Sequence, residues 1–311
     1  MNNWRNMELG KAILFNPSET IKKGSIAKKI PMERLTPFEK KIKGFEFANF
    51  SSAPKFRNGD TLLAKITPCL ENGKTAQVDI LEENEVGFGS TEFIVLRENE
   101  NSINDFIFYL AKSPAFRKKA ISCMEGTSGR KRVNEGALKL QELLIPDIPT
   151  QQKIASVLSA LDAKIELNNR INAELEAMAK TLYDYWFVQF DFPDENGKPY
   201  KSSNGKMIWN EELKREIPVG WKVQDLSKAI EIKYGKDHKK LHFGLIPVFG
   251  SGGIMRYADK AIYENESILI PRKGTLSNLF YLNKPFWSVD TMFFSKMKIA
   301  HIGKYLFYFL Q

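Results

Sequence analysis

The chain has 311 residues, 43% hydrophobic and 27% charged, a globular composition for two domains or one large one that excludes disorder throughout. Two cysteines are too few for a disulfide framework or a four-thiolate zinc site, which fits a reducing cytoplasm, and three histidines leave little material for a catalytic metal site. No apolar run reaches the roughly 18 residues of a membrane span, the N-terminus MNNWRNMELG lacks a signal-peptide core, and a net charge of +9 permits a polyanionic partner.

The predicted elements are mixed α and β. Asn16-Pro17-Ser18-Glu19 reads as a turn, because the residue before proline is pushed away from helix. It superficially resembles the Asn-Pro-Pro-aromatic loop of amino-methyltransferases, but Glu19 cannot stack on a flipped base. Strands are predicted over Thr61 to Ile66, Thr75 to Ile80 and Glu92 to Leu96, and helices over Asn104 to Lys112 and Pro114 to Met124. Basic clusters occur at Lys22, Lys23, Lys28 and Lys29, at Arg117 to Lys119, and at Arg130 to Arg132, and the plain reading of any one of them is a solvated face. Of these, Gly126-Thr-Ser128-Gly-Arg130-Lys131-Arg132 is a short loop suited to approach a phosphate backbone.

The clearest local signal follows Pro149. From Gln151 to Phe187 there is no Gly and no Pro, and Thr150 is the predicted N-cap. Ile154, Leu158, Leu161, Ile165, Asn168, Asn172, Leu175, Ala179, Leu182 and Trp186 step alternately by four and three, a heptad seam. The helix would run about 55 Å. A coiled-coil spacer over 150–190 is the preferred reading, with a long core helix of one domain as the plain alternative. Turn formers between Pro193 and Gly205 mark 191–217 as a connector.

Beyond it, strands are predicted over Ser267 to Ile270, Leu279 to Leu282 and Thr291 to Lys296. His238 and His242 stand four apart, as two metal ligands on a helix would, but their glycine-containing surroundings read as a loop. Gly250-Ser251-Gly-Gly253 could cradle a phosphate, yet lacks the Lys-Ser/Thr ending of a nucleotide loop. Ile270-Pro-Arg272-Lys273-Gly-Thr275 ends a strand with two cations and a hydroxyl; arginine reads guanine bidentately, while lysine more often sits on phosphate.

The flanks of the helix resemble each other. Trp4 to Ile13 matches Trp221 to Ile230, with Trp, Leu, Lys, Ala and Ile identical. Gly59-Asp-Thr-Leu-Leu-Ala-Lys65 parallels Glu266-Ser-Ile-Leu-Ile-Pro-Arg272, and Phe106-Ile-Phe-Tyr-Leu110 parallels Tyr305-Leu-Phe-Tyr-Phe309. Three words in one order indicate a tandem duplication. On that alignment, residues 113–190 have no counterpart in the second copy, whose end is expected to be incomplete. No nucleophile, acid–base pair or cofactor loop stands out, so the chain is expected to be non-catalytic by itself.

Together, Pro-x-x-Gln-Gln-Lys-Ile opening the helix, Asp184-Tyr-Trp-Phe187 closing it, Gly197-Lys-Pro-Tyr-Lys-Ser-Ser203 in the connector, then Ile217-Pro-x-Gly-Trp221 and Val248-Phe-Gly-Ser-Gly-Gly-Ile254 resemble the specificity subunits of type I restriction-modification enzymes. The resemblance implies an α+β chain with two target recognition domains, 1–149 and 218–311, joined by a long coiled-coil spacer helix, with the second domain and second spacer helix incomplete. It implies that each domain reads one half of a split duplex DNA target. It further implies two methyltransferase partners and a motor-nuclease subunit, with S-adenosylmethionine, ATP and Mg on the partners, no cofactor in this chain and no membrane. Candidate DNA contacts are Lys65, Thr67, Ser128, Arg130, Lys131, Arg132, Ser251, Arg272, Lys273 and Thr275. Candidate pairing residues are Ile154, Leu158, Leu161, Ile165, Asn168, Asn172, Leu175, Leu182 and Trp186, facing a second copy or a separate fragment that supplies the missing helix. The competing expectation is an assembly protein that binds a methyltransferase through its coiled coil and reads no DNA; an autonomous methyltransferase would need a cofactor loop that the sequence does not offer.

Overall fold

The structure, a computed structural model, describes residues 3–127, 129–274 and 276–311. The chain divides into two units, Met1–Arg170 and Ile171–Gln311.

The first unit begins with β1 (Trp4–Glu8), the single turn α1 (Leu9–Ala12), β2 (Leu14–Phe15), β3 (Ile26–Ile30), β4 (Glu46–Asn49) and β5 (Lys55–Phe56). It continues with β6 (Thr61–Ala64), β7 (Thr75–Gln77), β8 (Gly87–Gly89) and β9 (Phe93–Arg97). Then come α2 (Asn104–Lys112), α3 (Pro114–Ser122), β10 (Met124–Glu125), β11 (Arg132–Val133), α4 (Glu135–Lys139), β12 (Glu142–Pro146) and the long helix α5 (Ile148–Tyr183), which continues past Arg170. Two four-stranded sheets have the orders β4-β3-β8-β5 and β2-β9-β6-β7, and β1 pairs with β12. The strands β6 and β9 are buried on both faces, and the two-residue period sorts their side chains. Leu63, Ile94 and Leu96 enter one core with Ile107 and Phe116 of the helices. Leu62, Phe93 and Val95 enter a second core with Ile30 and Phe56.

The second unit holds β13 (Met207–Asn210), β14 (Arg215–Pro218), the single turn α6 (Leu226–Ala229), β15 (Ile230–Tyr234), β16 (Ile246–Gly250) and β17 (Gly253–Ala258). It ends with β18 (Ser267–Pro271), β19 (Phe280–Leu282), β20 (Trp287–Ser288), β21 (Met292–Met297) and α7 (Gly303–Leu310). The sheet orders are β17-β16-β20 and β15-β21-β18-β19. These repeat the first unit's sheets element by element, down to the parallel pairs β3·β8 and β16·β20. The β5 strand is represented by the single bridge Tyr263↔Phe286. The first unit's extra length lies chiefly between β3 and β6, which accounts for the falling offset between the matched words.

Three expectations change. Helix α5 starts at Ile148, and Asp147, not Thr150, caps it, its carboxylate accepting from the Thr150 amide at 3.1 Å. The connector contains the hairpin β13–β14, because its glycines and prolines flank a Met-Ile-Trp-Asn strand rather than replacing it. Lys28 and Arg117 do not solvate a face. Lys28 is buried against Glu85 at 2.9 Å, whose carboxylate raises its pKa, and Arg117 donates to the carbonyl of Glu71 at 2.7 Å beneath the Phe38 ring.

Candidate nucleic-acid interface

The root of α5 is held by polar groups off the heptad seam. The buried Gln151 side chain makes three bonds: it donates to the carbonyls of Asn101 and Pro146 at 2.7 and 2.8 Å, and accepts from the Ile103 amide at 3.0 Å. One and two turns on, Ala155 is buried and Ser159 receives Lys40 at 3.3 Å. Asp162 accepts from the Tyr109 hydroxyl at 2.8 Å, and Glu166 pairs with Lys41 at 2.5 Å. The Gln-Gln-Lys-Ile opening is therefore an anchor. On the seam, Ile154 and Leu158 line an apolar cavity of about 570 Å³ with Phe106 and Tyr109. Further along, Leu161, Ile165, Leu175 and Leu182 are 52%, 58%, 56% and 46% exposed, and Asn168 and Asn172 are exposed between them. Val157, Leu167, Ile171 and Met178 widen this apolar surface beyond the seam.

At the far end, in the second unit, Tyr183 packs at 5.6 and 5.8 Å from Tyr305 and Tyr308 of α7. Phe187, in the π-type turn Asp184–Val188 that also carries Trp186, lies 4.9 Å from Tyr305. Leu306 is buried with Ile230 and Ile268, so the apolar terminal helix finds a core, while Phe309 stays 58% exposed.

The basic candidates of the first unit come together at one end of β6. Ile66 bridges Arg132, the Thr67 amide donates to the Lys131 carbonyl at 3.0 Å, and the Val133 amide donates to the Lys65 carbonyl at 2.8 Å. The chain 130–133 thus continues the β6 edge and carries Arg130 and Lys131 into solvent. Arg132 is held differently. Its guanidinium grips Glu92 through both oxygens at 2.7 to 3.0 Å, which raises the arginine pKa and keeps the Glu92 carboxyl below the usual range. Thr67 gives its hydroxyl to Glu71 at 2.8 Å. Ser128 lies outside the described residues.

In the second unit Arg272 occupies the position of Lys65. The Lys65 amide donates to the Glu92 carbonyl at 2.9 Å and the Arg272 amide to the Thr291 carbonyl at the same distance. The Arg272 guanidinium stands over the rings of Tyr234 and Phe293, 5.0 and 5.3 Å from their centres, and donates to the Asp290 carbonyl at 3.0 Å. Two aromatic faces and a carbonyl fix a planar donor set while leaving the residue exposed. Gly274, at φ +83°, comes so near Ser251 that an added Cβ would sit 3.1 Å from its hydroxyl, and Ser251 accepts from Asn278 at 2.7 Å through its carbonyl. Ser251, Arg272, Lys273 and Gly274 therefore form one surface; Thr275 lies outside the described residues. The Gly250–Gly253 segment is the tight turn of the β16–β17 hairpin.

Asn16 adopts φ +48° and its side chain accepts from the Val95 amide at 2.9 Å, so Asn-Pro-Ser-Glu is a structural turn. Among the described residues no cluster of three or more His, Cys, Asp or Glu could hold a metal, and no helix is long and apolar enough to cross a membrane. Sequence reasoning missed a polar groove of about 500 Å³ in the first unit, lined by Lys29, Glu33, Asn49, Ser52, Ser90 and Thr91. Its residues come from three separate segments, so no local spacing announces it.

The family model of the type I restriction modification DNA specificity domain matches residues 8–177, more than half of the chain. The chain belongs to this family. Among curated members, the HindI specificity subunit of Haemophilus influenzae is 37% identical over 137 residues, and the MjaIX specificity subunit of Methanocaldococcus jannaschii is 31% identical over 135. Each match covers 43% of this chain but only 29% of the relative. The type I S subunit of M. genitalium shares the fold, with a TM-score of 0.52 at 18% identity, covering 99% of this chain and 76% of the other. Membership agrees with the mixed α/β units and the long helix that the sequence motifs implied.

Proposed function

We propose that this specificity-domain protein reads duplex DNA for a type I restriction-modification assembly, each unit contacting one part of a split target. The observation that carries the reading is the repeated placement of a cation at the end of the middle strand, Lys65 in one unit and Arg272 in the other, each beside further exposed cations. Two basic surfaces on two copies of one fold suit two blocks of a polyanion. The chain itself supplies recognition and no chemistry. Two methyltransferase subunits dock on the α5 seam and a motor-nuclease subunit joins them; S-adenosylmethionine, ATP and Mg belong to those partners, and the working compartment is the cytoplasm. The exposed Leu161, Ile165, Leu175 and Leu182 also favour a second reading, assembly without DNA reading, in which the helix pairs with a partner chain or a second copy.

The test is selection from random duplex DNA with the chain co-expressed with a methyltransferase subunit. Two short blocks at fixed spacing support reading by both units; no enrichment leaves the assembly role. Within the same assay, Arg272→Ala is expected to relax one base position by roughly 1–3 kcal/mol. Lys131→Ala is expected to weaken all sequences alike and lower the salt slope by about one. Wild-type behaviour of both would remove these loops from the interface.

A further inference from the structure

The hydrogen-bond register aligns the two units residue by residue at one edge. The Ser90 amide donates to the Ile30 carbonyl at 3.2 Å, and the Val289 amide to the Phe249 carbonyl at 3.0 Å. The Phe93 amide donates to Ser90 at 3.1 Å, and Met292 to Val289 at 3.0 Å. With the matched bonds of Lys65 and Arg272, these fix three equivalent turns. One follows β3 or β16, one precedes β9 or β21, and one follows β6 or β18. In the first unit the turns after β3 and before β9 wall the 500 Å³ groove, and Glu92 ties the second of them to Lys65 and Arg132. In the second unit Ser251, Asp290 and Arg272–Gly274 are brought together by the Gly274 approach and the Arg272 bond.

The two units keep the same strands behind this edge and differ at the edge itself. Pro31-Met32-Glu33 stands where the other has Gly250-Ser251-Gly252. Ser90-Thr91-Glu92 stands against Val289-Asp290-Thr291, and Lys65-Ile66-Thr67 against Arg272-Lys273-Gly274. The exposed groups include carboxylates, Glu33 in one unit and Asp290 in the other, at different turns. A carboxylate repels phosphate, so on a surface otherwise built of cations it lowers general affinity. It is useful there only against a hydrogen-bond donor, as the exocyclic amine of a base is. Hydroxyls and amides (Thr91, Asn49, Ser251) supply the neutral remainder of such a surface.

From this we infer that the three-turn edge is the base-reading edge of each unit, with Glu33 and Thr91 as specificity determinants in the first and Ser251 and Asp290 in the second. Arg272 reads with them, and the lysines beside them, Lys65, Lys131 and Lys273, position the backbone. The inference rests on the proposed reading of DNA and adds which residues choose the sequence. The unit that binds a given block is thereby assigned, since each pair of residues acts on its own block alone.

The experiment is the same random-duplex selection, run on the wild-type chain with its methyltransferase subunit and on two double variants, Glu33→Gln with Thr91→Val and Ser251→Ala with Asp290→Asn. All four replacements are near-isosteric or smaller and lie at partly or fully exposed turn positions, and hydrogen exchange of β6, β9, β18 and β21 verifies that each unit stays folded. The first variant is expected to relax one or two base pairs of one block by roughly fivefold or more, leaving the other block as in wild type. The second is expected to do the reverse. A split wild-type motif with both blocks unchanged in both folded variants overturns the inference while leaving the proposed function standing, as does an equal loss across all sequences. A wild-type chain that enriches no motif overturns the proposed function and the inference with it.

Discussion

The two units close the same strand pair with different chemistry. In the first, Asp60 and Arg97 stand at the end of β6 and β9, joined by two bonds of 2.6 and 2.7 Å, and Arg97 reaches on to Glu19 at 2.7 Å. Arg57 adds a fourth charge to Glu19, also at 2.7 Å. In the second, the positions of Asp60 and Leu96 are taken by Ser267 and Ser295. The Ser267 hydroxyl donates to the Ser295 carbonyl at 2.7 Å, and the Ser295 hydroxyl accepts from the Ile268 amide at 2.8 Å. One fold thus accommodates a charged network beside β6 in one copy and two hydroxyls beside β18 in the other, with Lys296 at the position of Arg97. The backbone register, not the identity of the polar pair, is what the two copies share.

That contrast can be broken by substitution. Arg97→Ala strands the buried Asp60 carboxylate and is expected to cost the first unit about 3–5 kcal/mol. Hydrogen exchange should lose protection in β6 and β9 while β18 and β21 keep theirs; loss in both units would show one cooperative fold. Ser295→Ala removes the acceptor of the Ile268 amide, at about 1–3 kcal/mol, and the loss belongs to the second unit. Acid separates the units more gently. Burial opposes the charge on Glu19, but Arg97 and Arg57 outweigh it and hold its carboxyl below its ordinary 4.5. A depressed folded value stabilises at neutral pH, and the contribution is lost as pH falls below about 4.5 through that value. The first unit should therefore lose protection in acid earlier than in Glu19→Gln, which has no such dependence at this site. The smallest effect is expected at Leu175→Ala, within about 0.5 kcal/mol because the side chain is exposed. The same variant should weaken capture of a helical partner, read by co-purification with the methyltransferase subunit.

Much of this was legible in the residues. The duplication survived translation into structure because its words build matching elements: Leu9-Gly-Lys-Ala12 and Leu226-Ser-Lys-Ala229 make the same turn, and Thr61 to Ala64 and Ser267 to Pro271 the same buried strand. The predicted helix Asn104 to Lys112 matched its bounds because Ser113-Pro114 both ends it and caps the next. The hairpin β13–β14 was hidden by surrounding turn formers, and Lys28 and Arg117 were misread because burial depends on partners distant in sequence, Glu85 and the Glu71 carbonyl. For the same reason the proposed interface was only half legible. Arg130, Lys131 and Arg272 advertise themselves as charge, whereas Glu33, Thr91 and Asp290 carry no signal until the turns are assembled.

If the first unit reads DNA as proposed, the Arg132–Glu92 pair has a consequence for how it meets that polyanion. Among the described residues no carboxylate pairs with Arg130 or Lys131, so each would displace condensed counterions on reaching phosphate. Arg132 arrives with its charge already cancelled by a neighbour that grips it through both oxygens. A phosphate at Arg132 trades one anion for another and liberates almost no sodium. On that proposal two of three consecutive basic residues would set the ionic-strength dependence of binding, and the third would give a contact that salt scarcely touches.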